Sequence, residues 1–256
     1  MHPTDELIEI LKKLRFTGLL ESLDIRRKEA VEDNLSHVEF LYRLLSDELE
    51  RREAKKLQNK LRRAMFEEHK TLEDFEFQFN PKIPKAKILE LSSCSFIERH
   101  ENVALIGPCG VGKSHISQAI GHRACRAGFD VLYTPAQKMF AYIRSGKADN
   151  TYERKLLRFI TPHLLIIDDL GLLPLQKDEP SALFEIIRAR YEKSSTIITS
   201  NRDIQEWYSL FENDLLASST LDRFFHHAHV VIMDGRSYRS ANRSIKNTET
   251  QGVTNS

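Results

Sequence analysis

Gly107-Pro-Cys-Gly-Val-Gly-Lys-Ser114 decides how this chain is read. The run fits the pattern G-x-x-x-x-G-K-[ST]. An apolar stretch, Val103–Ile106, precedes it, and a helical stretch from His115 to about Arg126 follows. A strand, a glycine-rich turn and a helix start are what a phosphate-cradling loop needs. Glycines at 107, 110 and 112 let the backbone wrap closely, so that its N–H groups converge on phosphate oxygens. The helix N-terminus adds a dipole that favours an anion. Lys113 is placed to reach the β- and γ-phosphates, and Ser114 to offer a hydroxyl to Mg²⁺. The expected nucleotide-binding segment is therefore Gly107, Pro108, Cys109, Gly110, Val111, Gly112, Lys113, Ser114 and His115. Cys109 fills a variable position and is read as a spectator.

Working outward, Leu164-Leu-Ile-Ile-Asp-Asp169 is an apolar strand ending in two carboxylates, 55 positions after Lys113 for the first of them. Such a strand end is where a Walker B acid sits. Asp168 is expected to hold Mg²⁺, through water, and Asp169 to orient the attacking water. The strand–helix unit between Lys113 and Asp168 favours P-loop ATPases with an additional strand over nucleotide kinases and GTPases. Thr199-Ser-Asn201 ends the next strand, where an Asn can hydrogen-bond the water or the γ-phosphate. Arg223 in LDRFF and Arg239 in GRSYR are candidates for arginines that stabilise transition-state charge. His226, His227 and His229 suggest a metal, but they lie beside or within an expected strand with no carboxylate or cysteine partner. They are read as non-ligands.

Around these motifs, short β-rich runs alternate with helical stretches: Val103–Ile106, Val131–Tyr133, Leu164–Ile167, Thr196–Thr199 and Val230–Met233. That alternation predicts βαβ units and a parallel sheet over residues 103–240. Residues 1–69 read instead as an all-α domain, with one Gly and one Pro. Leu7, Ile10, Leu11 and Leu14 recur at helical spacing, and Gly18 is expected to interrupt that helix. Ser36 and Glu39 form a capping box that opens a long helix to about Phe66, with Val38, Leu41, Leu45, Leu57, Leu61 and Met65 on its apolar side. Residues 70–102 read as a connector in which Phe75, Phe77 and Phe79 dock onto the core and a short helix runs from about Lys85 to Glu98. Residues 241–256 read as a polar, disordered tail.

Net charge is +1, from 38 basic and 37 acidic residues, which excludes a uniformly basic coat protein or an acidic solvating chain. Charge is nevertheless segregated. Between Arg51 and Arg63, seven basic residues (Arg51, Arg52, Lys55, Lys56, Lys60, Arg62 and Arg63) face one acidic residue. Clustered Lys and Arg on a solvated helix suit a phosphate backbone. The three cysteines have no metal-ligand spacing, so neither a disulfide scaffold nor structural zinc is expected. The longest strongly apolar run is Leu164–Ile167, far short of a membrane span, and the protein is expected to be soluble and cytoplasmic.

The chain resembles the IstB-like transposition helper ATPases of bacterial insertion sequences, relatives of the DnaC helicase loaders in the AAA+ class. The resemblance covers about residues 7–240 and rests on LKKLRFTGLLESL (11–23), EFLYRLLSDELERRE (39–53), KTLEDFEF (70–77), GPCGVGKSH (107–115), LLIIDDLGLLPL (164–175), ARYEKSSTIITSNRDIQEW (189–207), LASSTLDRFFHHAHVV (216–231) and GRSYR (235–239). It implies a RecA-like AAA+ core behind a helical N-terminal domain, with ATP and Mg²⁺ as cofactors. It also implies an oligomerising, ATP-hydrolysing regulator that binds duplex DNA with little sequence preference and recruits or activates a partner transposase. A replicative helicase loader is the alternative. Carried onto this sequence, the resemblance makes Asn201 a sensor 1 residue, Arg223 a finger acting on a neighbouring subunit, and Arg239 a sensor 2 residue. Asp169 departs from the Glu that many AAA+ members have there, which bears on hydrolysis rate rather than on nucleotide binding.

Overall fold

A computed structural model describes residues 3–211 and 213–240; the tail expected at 241–256 lies outside them. The chain divides into two compact units, 1–59 and 60–256. Three helices come first: α1 (Pro3–Lys13), α2 (Thr17–Glu32) and α3 (His37–Ala64). The capping box is present, with Ser36 N donating to Glu39 Oε2 at 3.0 Å and Glu39 N to Ser36 Oγ at 3.2 Å.

In the first unit the small core is Leu11, Leu19, Leu23 and Leu44, with Ile8, Phe16, Leu20 and Phe40 packed against it. The predicted apolar faces are therefore rotated. Leu7 and Ile10 on the first helix, Leu14 just after it, and Val38, Leu41 and Leu45 on the third are exposed. Gly18 does not break a helix either. The break falls at Arg15, whose φ is 58°, and Gly18 lies in the first turn of α2. The buried carboxylate of Glu48 accepts Gly18 N at 2.6 Å and Leu19 N at 3.2 Å, so a side chain of α3 satisfies N–H groups that helix geometry leaves open. A Cβ on Gly18 would stand 2.9 Å from Glu48 Cα, which is why the small residue is needed. Burial opposes ionisation of Glu48, but Arg52 and the two backbone donors hold its carboxyl below the usual range.

In the second unit the connector forms α4 (Lys85–Leu91) and α5 (Ser95–Glu98). These are two helices rather than the single one expected, because Cys94 between them has φ of 65°. Then follow β1 (Asn102–Ile106), α6 (Lys113–Arg126), β2 (Val131–Pro135), α7 (Ala136–Ala148), α8 (Tyr152–Ile160), β3 (Leu164–Asp168), α9 (Glu179–Arg190), β4 (Ser195–Ser200), α10 (Ile204–Trp207), α11 (Asp214–Phe225) and β5 (Ala228–Ile232). The strands pair in parallel in the order β2-β3-β4-β1-β5. Parallel strands covered on both faces must be apolar throughout, and every residue of β3 is buried. On one face Ala104, Ile106, Leu165, Ile167 and Ile198 join a core with Phe140 of α7, Phe159 of α8, Ile186 of α9 and Phe224 of α11. On the other, Ile166 meets α6 at Gly121, where a Cβ would stand 2.8 Å from Ile166 Cδ1.

Arg190 ends α9 inside the protein, with 2% of its surface exposed. Among the described residues it has no carboxylate partner. Its guanidinium donates to the carbonyls of Phe159, Ile160, Pro162 and Ser195 and to Thr196 Oγ1. Burial pulls its pKa down to about 9, and the five acceptors compensate the lost hydration. The residue ties the starts of β3 and β4 together at the end of the sheet opposite the glycine-rich loop.

Candidate nucleotide-binding site

In a parallel sheet every strand points its C-terminal end the same way, so residues that end β1, β3 and β4 share one edge. The Gly107–Ser114 loop leaves β1, Asp168 and Asp169 end β3, and Asn201 follows β4. Because β4 lies between β1 and β3, Asn201 stands between the loop and the two aspartates. Backbone bonds fix this edge: Gly107 N donates to Ser200 O at 3.2 Å, and Leu170 N to Thr199 O at 2.9 Å.

The loop has the backbone its glycines allow. Gly110 has φ of 83° and Gly112 of 103°, a region that side chains disfavour. A Cβ at Gly112 would also stand 2.4 Å from the ring of Phe75, and one at Gly110 2.2 Å from Ser237 Oγ. Lys113 is buried, and its ammonium donates to the carbonyls of Gly107 at 2.8 Å and Pro108 at 2.9 Å. Burial lowers its pKa, while the negative field of Asp169 and Asp168 opposes that shift. Ser114 is half-buried at the first turn of α6, and Pro108 and Cys109 are exposed. Val111 is buried. His115 Nε2 meets Thr71 O at 2.6 Å, and its ring lies 5.3 Å from that of Phe75.

Asp168 is buried and doubly held. Tyr133 donates its hydroxyl to Oδ2 at 2.7 Å, and Thr199 donates to Oδ1 at 2.5 Å. Burial and the adjacent carboxylate keep the Tyr133 phenol protonated, so it acts as a donor. Asp169 has φ of 56°, and its own N–H is received by Thr199 Oγ1 at 2.9 Å. Burial and the charge of Asp168 raise its pKa, against Lys113 and Arg239, which lower it. Arg239 is exposed, but its charge is felt at Lys113 and Asp169 alike. Arg223 is not at this edge. It lies on α11, where it donates to Ser219 O at 2.6 Å and sits 5.8 Å over the Phe184 ring.

Several residues of the site had no motif to announce them. The connector and the segment after β5 flank the loop together. Asn80 Nδ2 donates to Arg236 O and Arg236 N to Asn80 Oδ1, each at 2.9 Å. Tyr238 N donates to Gly110 O at 3.0 Å, and its ring stacks edge-on against Phe79 at 5.1 Å. Of the three connector phenylalanines, Phe75 docks at the loop and Phe79 on Tyr238, whereas Phe77 packs on Phe75 within the connector. Tyr133 and Thr199 were legible only as strand residues.

The donor set fits a nucleotide with a hard divalent cation. It offers a buried lysine, a helix N-terminus, a hydroxyl oxygen and carboxylate oxygens, which are Mg²⁺-type rather than soft-metal ligands. The basic run is less uniform than its sequence. Arg51 pairs with Glu21 and Thr17, Arg52 with Glu48 and the Phe16 ring, and Lys60 with Asp130 at 2.5 Å. Lys55, Lys56, Arg62 and Arg63 are exposed.

Sheet order and loop together define a P-loop protein of the AAA+ fold. The sequence profile of the IstB-like ATP binding protein family matches residues 9–246, and the chain belongs to that family. It is 38% identical over 239 residues to an ATP-binding protein in an insertion sequence of Mycobacterium tuberculosis, covering 93% of this chain and 95% of that one. It is 37% identical over 239 residues to the ATP-binding protein of insertion sequence IS21 from Pseudomonas aeruginosa, covering 93% and 89%. AMPPCP-bound DnaA from Aquifex aeolicus matches with a TM-score of 0.56 at 23% identity, over 72% of this chain and 56% of that one, which is a likeness of fold. Among the described residues no helix is long and apolar enough to cross a membrane.

Proposed function

We propose that this chain is an ATP-hydrolysing helper of an insertion sequence that assembles on duplex DNA and recruits or activates a transposase. The observation that carries the nucleotide chemistry is the convergence of Lys113, Asp168, Asp169 and Asn201 on one edge of the sheet. Membership of the IstB-like family and the matches to insertion-sequence proteins over most of the chain support the biological setting, and favour it over a helicase loader.

In this reading the N–H groups of Gly107–Ser114 cradle the phosphates, and Lys113 leaves its two carbonyl partners to meet the β- and γ-phosphates. Ser114 and Asp168 would hold Mg²⁺, which when bound neutralises charge on the phosphate oxygens. Tyr133 and Thr199 aim the Asp168 carboxylate. Asp169 orients the attacking water, helped by Asn201, and Arg239 senses the nucleotide. Arg223 serves the site of a neighbouring subunit, because on α11 it lies away from the nucleotide edge of its own chain. Hydrolysis times assembly and disassembly. The exposed members of the run Arg51, Arg52, Lys55, Lys56, Lys60, Arg62 and Arg63 contact the DNA backbone without reading sequence, and a cytoplasmic location follows from that task.

The test is binding to a labelled duplex, and co-retention of an insertion-sequence transposase, with ATP, with ADP and with the Lys113→Ala variant. ATP-dependent binding that Lys113→Ala loses is expected. Nucleotide-independent binding, or preference for a single strand with a replicative helicase, would overturn the proposal.

A further inference from the structure

His226, His227 and His229 look unpromising as ligands in sequence, because they lie beside or within a strand and no carboxylate is assigned to them as a partner. Folding supplies one. Glu192, in the turn after α9, comes to the junction of α11 and β5, and one ligand atom from each of Glu192, His226 and His227 falls within 4.8 Å of the others. His227 Nε2 stands 3.8 Å from Glu192 Oε1. The His226 and His227 rings have centroids 4.0 Å apart. Tyr191 OH meets His226 Nδ1 at 2.9 Å, which fixes that ring and leaves Nε2 as its ligand atom. Metal-bound histidines ordinarily have such a partner on the other ring nitrogen. His229 is separate, engaged with Glu101 at 2.7 Å.

We propose that Glu192, His226 and His227 form a binding site for a borderline divalent transition metal, with Zn²⁺ as the reference ion. Two imidazoles, one carboxylate and an open position for water make a tetrahedral set. Bonds of about 2.1 Å place ligand atoms roughly 3.4 Å apart around such an ion. The three side chains are exposed, so the small closure needed costs rotamer changes and moves no buried side chain. The imidazoles select against Mg²⁺ and Ca²⁺. Glu192 precedes β4 and His227 precedes β5, so the site lies at the N-terminal ends of the strands, away from the nucleotide edge. It joins the end of α9 to the end of α11. Arg223 is one turn before His226 and already lies over Phe184 of α9, so the ion holds in place the helix that carries that arginine.

The experiment titrates Zn²⁺ into the chelator-treated, full-length protein against a competing chromophore, with millimolar Mg²⁺ present to occupy oxygen-only sites. Wild type, Glu192→Gln, His226→Ala/His227→Ala and His229→Ala are compared, each first checked for unchanged melting in chelator. One ion per chain is expected, with affinity at least tenfold weaker in Glu192→Gln and in the double variant and unchanged in His229→Ala. Equal affinity in all four proteins would overturn the site. So would one ion per two chains with zinc-dependent dimers in sedimentation, since the ion would then bridge molecules.

Discussion

The Thr199 hydroxyl donates to Asp168 Oδ1 at 2.5 Å while accepting the N–H of Asp169 at 2.9 Å. One side chain of β4 thereby sets the carboxylate of one acid and the backbone of the next. Thr199→Val keeps the shape and removes the hydroxyl. It should leave ATP affinity within a few-fold and lower turnover by about 10- to 100-fold, the usual effect of losing a ligand's orienting partner. Equilibrium binding of a fluorescent ATP analogue and steady-state phosphate release separate the two quantities. A variant with normal turnover would show that the carboxylate needs no such support.

Arg223→Ala should bind ATP normally and lose most turnover, since arginine fingers are worth roughly 10³ to 10⁵ in rate in other P-loop enzymes. Mixed with Lys113→Ala, it should recover part of the activity, because some interfaces then pair an intact loop with an intact arginine. Co-assembled subunits that stay inactive would remove Arg223 from that role.

Lys55 and Lys56 are exposed, whereas Arg51 and Arg52 are held in ion pairs. Reversing Lys55 and Lys56 to Glu should weaken duplex binding for all sequences. Each lost phosphate contact should flatten the log–log salt dependence by about 0.9. Arg52→Glu should instead lower the melting temperature, by placing a second carboxylate against buried Glu48. Salt titrations and thermal melts on the same proteins distinguish the two effects.

His122 is buried in α6, stacked on Phe66 with centroids 4.1 Å apart and 4.9 Å from His69. Burial lowers its pKa from the ordinary 6.5. The unfolded chain therefore binds the proton more readily than the folded one. The stability this residue contributes is present above pH 6.5 and lost as the pH falls below it. His122→Phe should lose less stability than wild type between pH 7.5 and 5.5 in urea unfolding. Equal losses would assign that pH dependence to other groups.

Local pattern and spacing determined much of this protein. Glycines at fixed offsets, a lysine, and apolar runs ending in Asp168 or leading to Asn201 are features of consecutive residues, and the five strands appear where those runs predict them. A buried parallel strand must be apolar on both faces, so it is legible without knowing its neighbours. Tertiary structure decided what depends on pairing across distance. It chose which side of the first and third helices is inside: among the described residues the core of the first unit has four buried leucines, and Leu11 and Leu44 rather than Leu7, Ile10, Leu41 or Leu45 enter it from those helices. It made Glu48 the cap of α2, and it turned Arg190 inward onto carbonyls from two separate segments. It also brought Thr199 and Tyr133 to Asp168, and Glu192 to His227 across 35 positions of chain. A carboxylate's partners are chosen by strand order and helix packing, which no run of neighbouring residues encodes.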